Sequence, residues 1–475
     1  MRGLLRHQPD QNPWPHQLTM ARLVARALAT GRSALIQVSG VRGRGAYRLS
    51  YLFPALSWPQ PVILCAPPLV QQQLLSTDLP RLQELEIFSK PILQGKTWPS
   101  QNWNGVLLAD PLVFLQDCLK NGSEHFPRPI PVVFDQAHNL EAWSRKALEF
   151  RIEPGEWQQL REQGEPLASK VFEFTVAATR YLFVGKSPEQ RLDFTLESQL
   201  KQLLASLEYP PWDDFRRCLD DPNYLLSAVI HRQHGQFTLV AAPIDVRPYL
   251  QKLWAERPVV IIGEALDPQK SAPTYRHRLG LGELTCLQFP SDCQDELQVW
   301  VPPRNTELPF YEWGTQLIEL LALQARGPLV VLLQDHSLRK RVGSALAAQF
   351  GSRVSLDKVQ ETQRSITLCD WSFWEQGLSP SFAPEMLVML SLPFPDLQVP
   401  LVATKVERMK KERQDWFRSY LLPEAQGRLQ RGIGRIREHK GLVAVLDPRI
   451  HNPNYGYTLL ESLAPYRKLT RLPKS

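Results

Sequence analysis

Short apolar runs recur along this chain, each ending at a loop and followed by a helical pattern: SALIQV at 33–38, PVILCAP at 61–67, GVLLAD at 105–110, PVVFD at 131–135 and VVIIGEAL at 259–266. A run of this kind with no polar alternation is what a strand buried on both faces looks like, and parallel strands need a crossover, usually a helix, between them. Strands alternating with helices therefore predict parallel β-α-β units. A second series begins after a Pro-rich connection around VPPRNTELP, with a helix over 310–325, PLVVLLQ at 328–334, a helix over 337–349, SITLCD at 365–370 and MLVMLSL at 386–392. Helices from 399 to 432, the strand GLVAVLD at 441–447 and a helix after Tyr455 and Gly456 complete it.

Between about 145 and 235 the pattern changes to charged and aromatic segments such as EPGEWQQLREQ and ESQLKQLLASLEY, which predict a mostly helical insertion. The expected domains are 1–145 with 236–285, interrupted by an insertion over 146–235, and then 286–475. A chain of 475 residues has room for that many units.

No apolar stretch reaches the length a membrane span needs, and the opening MRGLLRHQPDQ lacks the apolar core of a signal peptide, so the expectation is a cytoplasmic protein with no membrane partner. The six cysteines are scattered, and even the nearest pair, Cys286 and Cys293, is too far apart for the usual metal spacing. His231 and His234 form an H-x₂-H pair that reads as part of a surface loop. Residues 401–475 carry 16 Lys and Arg against 7 Asp and Glu in a chain of net charge +7, so the positive surplus belongs to the C-terminal part. That asymmetry fits a polyanion partner, and equally a solvated basic surface.

The string VVFDQAHN at 132–139 delivers an acid, a Gln, a His and an Asn where an apolar run ends. It differs by one letter from the DEAH box of superfamily 2 helicases. Two α/β halves, this box in the first and an Arg-Gly-rich element late in the second, resemble the DinG and XPD family of DNA helicases. The resemblance implies an α/β fold of two RecA-like parallel-sheet domains, the P-loop NTPase helicase core, with an insertion in the first. It also implies ATP and Mg²⁺ as cofactors and single-stranded DNA or another nucleic acid as partner.

Residue by residue, PWPHQLTMARLV resembles the family's opening motif and places Gln17 against the adenine edge. QVSGVRGRG at 37–45 stands where the family's phosphate loop is expected, with Gly40, Gly43 and Gly45 permitting a tight loop. Arg44 replaces the phosphate-binding Lys, and Gly45 the hydroxyl residue that ligates the metal. Asp135 keeps the carboxylate that would hold Mg²⁺, while Gln136 replaces the Glu that orients and deprotonates the attacking water.

VILCAPPLVQQQLLSTDLPRL matches the next motif, but only Cys118 lies where the family carries an iron-sulfur domain, so no iron-sulfur cluster is expected. Glu264 and Ala265 replace a small hydroxylated pair, and Phe373, Trp374 and Glu375 are kept in a box where Gln376 and Leu378 are changed. The two aromatics read as packing. LPFP at 392–395 is intact. In the last motif Arg431 takes a Gln position, Arg437 aligns only with a gap, and Arg435 is the arginine-finger candidate.

Altered positions 44, 45, 136, 376 and 378 all bear on the engine, while strings such as LPFP that specify the scaffold survive. Removing a general base typically costs about 10² to 10⁴ in rate, so hydrolysis is expected to be weak or lost. Three readings follow: a slow helicase motor using Asp135 and Arg435, a pseudo-helicase that binds nucleic acid without hydrolysis, and a protein-interaction scaffold.

Overall fold

The computed structural model describes residues 14–39, 47–83, 90–162, 164–165, 167–185, 187–205, 212–290, 297–304, 307–360, 362–376, 382, 384–438 and 441–471. In it the apolar runs form the inner strands of two seven-stranded sheets, each parallel throughout. The first sheet is ordered Thr285–Phe289, Ala34–Val38, Val259–Glu264, Val132–Phe134, Val62–Cys65, Val106–Ala109, Ile92–Gln94. The second runs Val354–Leu356, Ile366–Cys369, Leu329–Leu332, Met386–Met389, Leu442–Val445, Leu297–Trp300, Tyr466–Leu469.

The uninterrupted apolarity of the inner strands follows from burial on both faces. Ile36, Leu64, Leu108 and Ile262 point into one helical layer of the first lobe, and their neighbours Leu35, Ile63, Leu107 and Ile261 into the other. Each such side chain contributes about 1.5 to 3 kcal/mol by leaving water, so the period of two anchors the register of the whole sheet. The second lobe repeats the arrangement, with Val330, Leu332 and Val443 on one side and Val331, Leu368 and Ala444 on the other. The expected two parallel-sheet α/β domains are what the chain forms.

The insertion contains more than helices. Four of them (Pro154–Arg161, Leu167–Leu182, Phe194–Ala205 and Asp213–Cys218) pack Trp157, Phe174, Leu200 and Trp212 onto an antiparallel sheet ordered Phe150–Ile152, Gln236–Pro243, Tyr224–His231, Glu189–Arg191. The helical expectation did not contain this sheet. Its central hairpin turns at residues 232–235, where Gly235 takes φ +62°. The expected boundary at 235/236 thus falls in that turn, and both strands of the hairpin belong to the insertion. His231 ends the strand before this turn and His234 lies within it, with the His231 ring nitrogen 3.0 Å from Thr238 Oγ1. The boundary expected at 285/286 likewise falls inside Thr285–Phe289, which pairs with Ala34–Val38 and belongs to the first lobe.

Candidate nucleotide cleft and interlobe contacts

Asp135 follows directly on the strand Val132–Phe134, at the carboxyl edge of the sheet where open α/β folds place their ligands. Facing it is the helix Leu49–Ser57, which follows the Gly-Arg-rich segment. Tyr47 lies in the turn that leads into this helix and Tyr51 in its first turn, with their ring centres 6.3 Å apart. The Tyr47 hydroxyl donates to Asp135 Oδ1 at 2.8 Å, and the Tyr51 hydroxyl to Oδ2 at 2.8 Å. The backbone N–H of Gln136 donates a third bond to Oδ1 at 2.7 Å. Gln136 adopts φ +54°, left-handed backbone that a non-glycine residue takes up rarely.

The carboxylate is 2 % exposed. Burial pushes its pKa above the ordinary value, and the bonds from Tyr51, Tyr47 and Gln136 oppose that rise only in part. Burial, then the charge of Asp135, drives both phenols well above their usual pKa, so they remain protonated donors. Beside them Arg48 is buried against Asp78, with Nε to Oδ2 at 2.6 Å, and donates from Nη1 to Gln73 Oε1 at 2.8 Å.

A magnesium ion requires oxygen lone pairs directed at it. Here Oδ1 accepts two hydrogen bonds and Oδ2 one, so three of the carboxylate's roughly four acceptor sites are already taken. Among the described residues no group of three or more His, Cys, Asp or Glu could hold a metal ion, and Asp135 by itself does not make a Mg²⁺ ligand set.

Gly40, Gly43, Arg44 and Gly45 lie outside the described residues. Gln17 opens the helix Gln17–Thr30 and is 4 % exposed, its backbone N–H bonded to Trp14 O at 3.1 Å. The backbone of Arg435 lies in the helix Leu422–Glu438, and its side chain lies outside the described residues. Arg431, one turn earlier, reaches the cleft between the lobes with Nη2 3.3 Å from Glu375 Oε1. Arg437 turns into its own lobe and donates to Pro465 O at 2.8 Å and Leu463 O at 2.5 Å. Trp371 and Trp374 are buried, their indole N–H groups bonded to Ser391 O and Gly432 O at 2.9 Å each.

The cleft is lined by His138, Ala265, Asp267, Tyr275 and Arg278 of the first lobe and by Glu424, Gly427 and Arg431 of the second. The lobes approach closely there: a Cβ on Gly427 would sit 3.1 Å from the Ala265 carbonyl oxygen. Burial and then the nearby Arg431 charge hold His138 well below its usual pKa, hence neutral.

At the mouth of the cleft is a group of charges that no motif announces. Glu141, 8 % exposed on the helix Leu140–Leu148, receives Arg145 Nη2 at 2.7 Å on Oε1 and Arg278 Nη2 at 2.7 Å on Oε2. Lys405 of the second lobe also binds Glu141 Oε1, and Arg278 also binds Glu424 of the second lobe. Burial works against ionising Glu141, but Lys405, Arg278 and Arg145 outweigh it and hold the carboxyl well below its usual range. Lys405 is pulled down to about 8 by burial, with Arg145 and Arg278 adding to the fall against the attraction of Glu141.

Where the insertion meets the helix Pro400–Lys411, an open groove of ≈ 550 Å³ is lined by Arg191, Lys201, Arg408 and Lys411 among acidic and apolar neighbours. Arg408, Lys410, Lys411, Arg413 and Arg418 are exposed on the same stretch. Glu412 and Asp415 lie among these cations and pair with Arg408 and Arg418.

The helicase C-terminal domain family matches residues 326–466. Among curated proteins, the ATP-dependent DNA helicase YoaA of Escherichia coli is 22 % identical over 431 residues, covering 76 % of this chain and 67 % of that protein. The ATP-dependent DNA helicase DinG of Photobacterium profundum is 22 % identical over 398 residues, covering 74 % and 57 %. The 3′-5′ exonuclease DinG of Bacillus subtilis is 28 % identical over 233 residues, covering 43 % and 25 %. The chain thus spans between a quarter and two thirds of the length of these relatives. In fold, it matches a solved XPD helicase with TM-score 0.65 at 11 % identity, over 95 % of this chain and 98 % of that one. It also matches Xpd4 of S. tokodaii with TM-score 0.63 at 14 % identity, over 96 % and 99 %.

Proposed function

We propose that this chain, a member of the DinG/XPD-like superfamily 2 helicases, binds nucleic acid through the family scaffold while ATP hydrolysis is weak or lost. The observation that carries the reading is the engagement of Asp135 by three donors, the Tyr47 and Tyr51 hydroxyls and the Gln136 amide. Phosphoryl transfer leans on a metal ion, a positioned nucleophile and preorganised charge. In this chain the acid is committed to two phenols, and the residue after it is an amide that cannot take a proton from water. Gln17, Arg435 and the loop residues Gly40, Gly43, Arg44 and Gly45 remain candidates for residual nucleotide contact.

The binding half of the reading is supported by the exposed cations from Arg408 to Arg418 and by the neighbouring groove. A strand tracked by Lys and Arg releases counterions, and a site with about six phosphate contacts weakens by about 10³ between 50 and 200 mM salt. Fluorescence anisotropy of labelled single-stranded DNA across that range, with and without Mg-ATP, tests this. Binding that falls steeply with salt and ignores Mg-ATP is expected. Absence of binding at low salt would favour the protein-interaction scaffold. The names of the relatives favour a second reading, an ATP-driven helicase, for which Mg-ATP would change the affinity.

A further inference from the structure

The two lobes touch at their charged rim as well as across the cleft, and the charges there are arranged as a joint. Glu141 is its hub. From the first lobe it is gripped by Arg145 and Arg278, and from the second by Lys405. Arg278 passes the link on to Glu424 of the second lobe. Arg145 extends it to the root of the insertion, donating from Nε to Pro243 O at 2.9 Å and from Nη2 to Ile244 O at 3.4 Å. The Lys405 ammonium also lies 5.3 Å from the Tyr420 ring centre. First lobe, insertion and second lobe thus converge on a single carboxylate that is largely out of water.

We propose that this five-member cluster of Glu141, Arg145, Arg278, Lys405 and Glu424 is an interlobe clasp that sets the relative position of the two lobes without nucleotide. The inference rests on the proposed function only in taking ATP out of the cleft.

A buried ionic cluster is weak evidence for stability, because desolvation cancels much of the attraction, but its directional bonds can specify one arrangement among several. That is the property a joint needs. Salt screens such a group poorly because it is partly removed from solvent. The close approach of Gly427 to the Ala265 carbonyl continues the contact on the cleft side, where an added Cβ would sit 3.1 Å from that oxygen. Three cations against two carboxylates leave one positive charge in excess. The second lobe contributes one cation and one anion, so removing both leaves the balance unchanged while cutting both links.

The experiment is single-molecule energy transfer between bioorthogonal labels at two exposed positions, Glu124 in the first lobe and Lys340 in the second, in the full chain. The variants are Lys405→Met, Glu424→Gln and the pair combined, which leave Glu141, Arg145 and Arg278 of the first lobe untouched. The clasp requires a single narrow distance in the unsubstituted protein that neither Mg-ATP nor Mg-AMPPNP moves. It requires a shift or broadening in each single variant and loss of the narrow peak in the double variant. A distance that changes with nucleotide overturns the proposal, as does a double variant that keeps the original narrow peak. Should the double variant fail to fold, the single variants and the nucleotide response of the unsubstituted protein decide alone. Single-stranded DNA added to the same samples keeps the two ideas apart: a nucleotide-independent narrow distance without DNA binding would retire the binding function and retain the clasp.

Discussion

Replacing Asp135 by alanine distinguishes a structural acceptor from a metal ligand by the sign of the stability change. A carboxylate waiting for a cation is a buried charge, and removing it relieves a desolvation cost. In this fold the same truncation strands two hydroxyls, because Tyr47 and Tyr51 are 6 % and 1 % exposed and both donate to Asp135. An unsatisfied buried donor costs about 1 to 3 kcal/mol, so the two together cost about 2 to 6 kcal/mol. Relief of the buried charge trims this without reversing it, and a net loss of a few kcal/mol is expected. Adding Tyr47→Phe and Tyr51→Phe to Asp135→Ala removes donors and acceptor together and should restore much of that loss.

Urea unfolding followed by tryptophan fluorescence measures all three chains, with and without millimolar Mg²⁺. The carboxyl has its folded pKa raised, so its stabilising contribution is present below the unfolded value of about 3.9 and lost as pH rises through the folded value. The unsubstituted protein should therefore gain on Asp135→Ala as the pH falls from neutral toward 4. An alanine variant at least as stable as the parent, together with a parent that Mg²⁺ stabilises by mass action, would refute the reasoning.

Lys405 titrates at about 8 in the fold and at about 10.4 unfolded, so its contribution is present above the unfolded value and lost as pH falls through 8. The unsubstituted protein should gain on Lys405→Met as the pH rises from 8 toward about 10.5, and a flat difference in urea midpoints would contradict this. Lys90 donates to the carbonyls of Ala55, Trp58 and Gln60 at 3.1, 2.8 and 2.5 Å, in and just beyond the last turn of the helix that carries Tyr51. Lys90→Met should cost about 1 to 3 kcal/mol in the same assay, and no change would show that water replaces the ammonium fully. At Gly432 an added Cβ would lie 2.7 Å from Trp371 Cζ3, against a ring that its bond to Ser391 O holds in place, so Gly432→Ala should cost about 1 to 3 kcal/mol by thermal melting, and an unshifted midpoint would show that the ring yields.

The inner strands were legible because burial on both faces leaves an unbroken apolar string, as in VILC or LVVL. Edge strands such as Ile92–Gln94 and Tyr466–Leu469 keep polar, partly exposed residues and give no such signal. The hairpin of the insertion was missed because a segment rich in charged helices surrounds it, and only the left-handed Gly235 punctuates its turn. At the site, the box at 132–139 and the basic C-terminal stretch could be read locally. Tyr47 and Asp135 are 88 residues apart, and Glu141 and Lys405 264 apart, so neither pairing leaves a trace in any local pattern. Tyr47 and Tyr51 belong to no motif, and only the fold shows what their hydroxyls meet.

The most direct test of the central claim is phosphate release from Mg-ATP by the folded full chain, with and without single-stranded DNA, beside Asp135→Asn. No turnover above background in either condition is expected, with DNA binding intact in the same preparation. Strand-stimulated turnover that Asp135→Asn abolishes would contradict the account and mean that the tyrosine pair gives way to the metal during a working cycle.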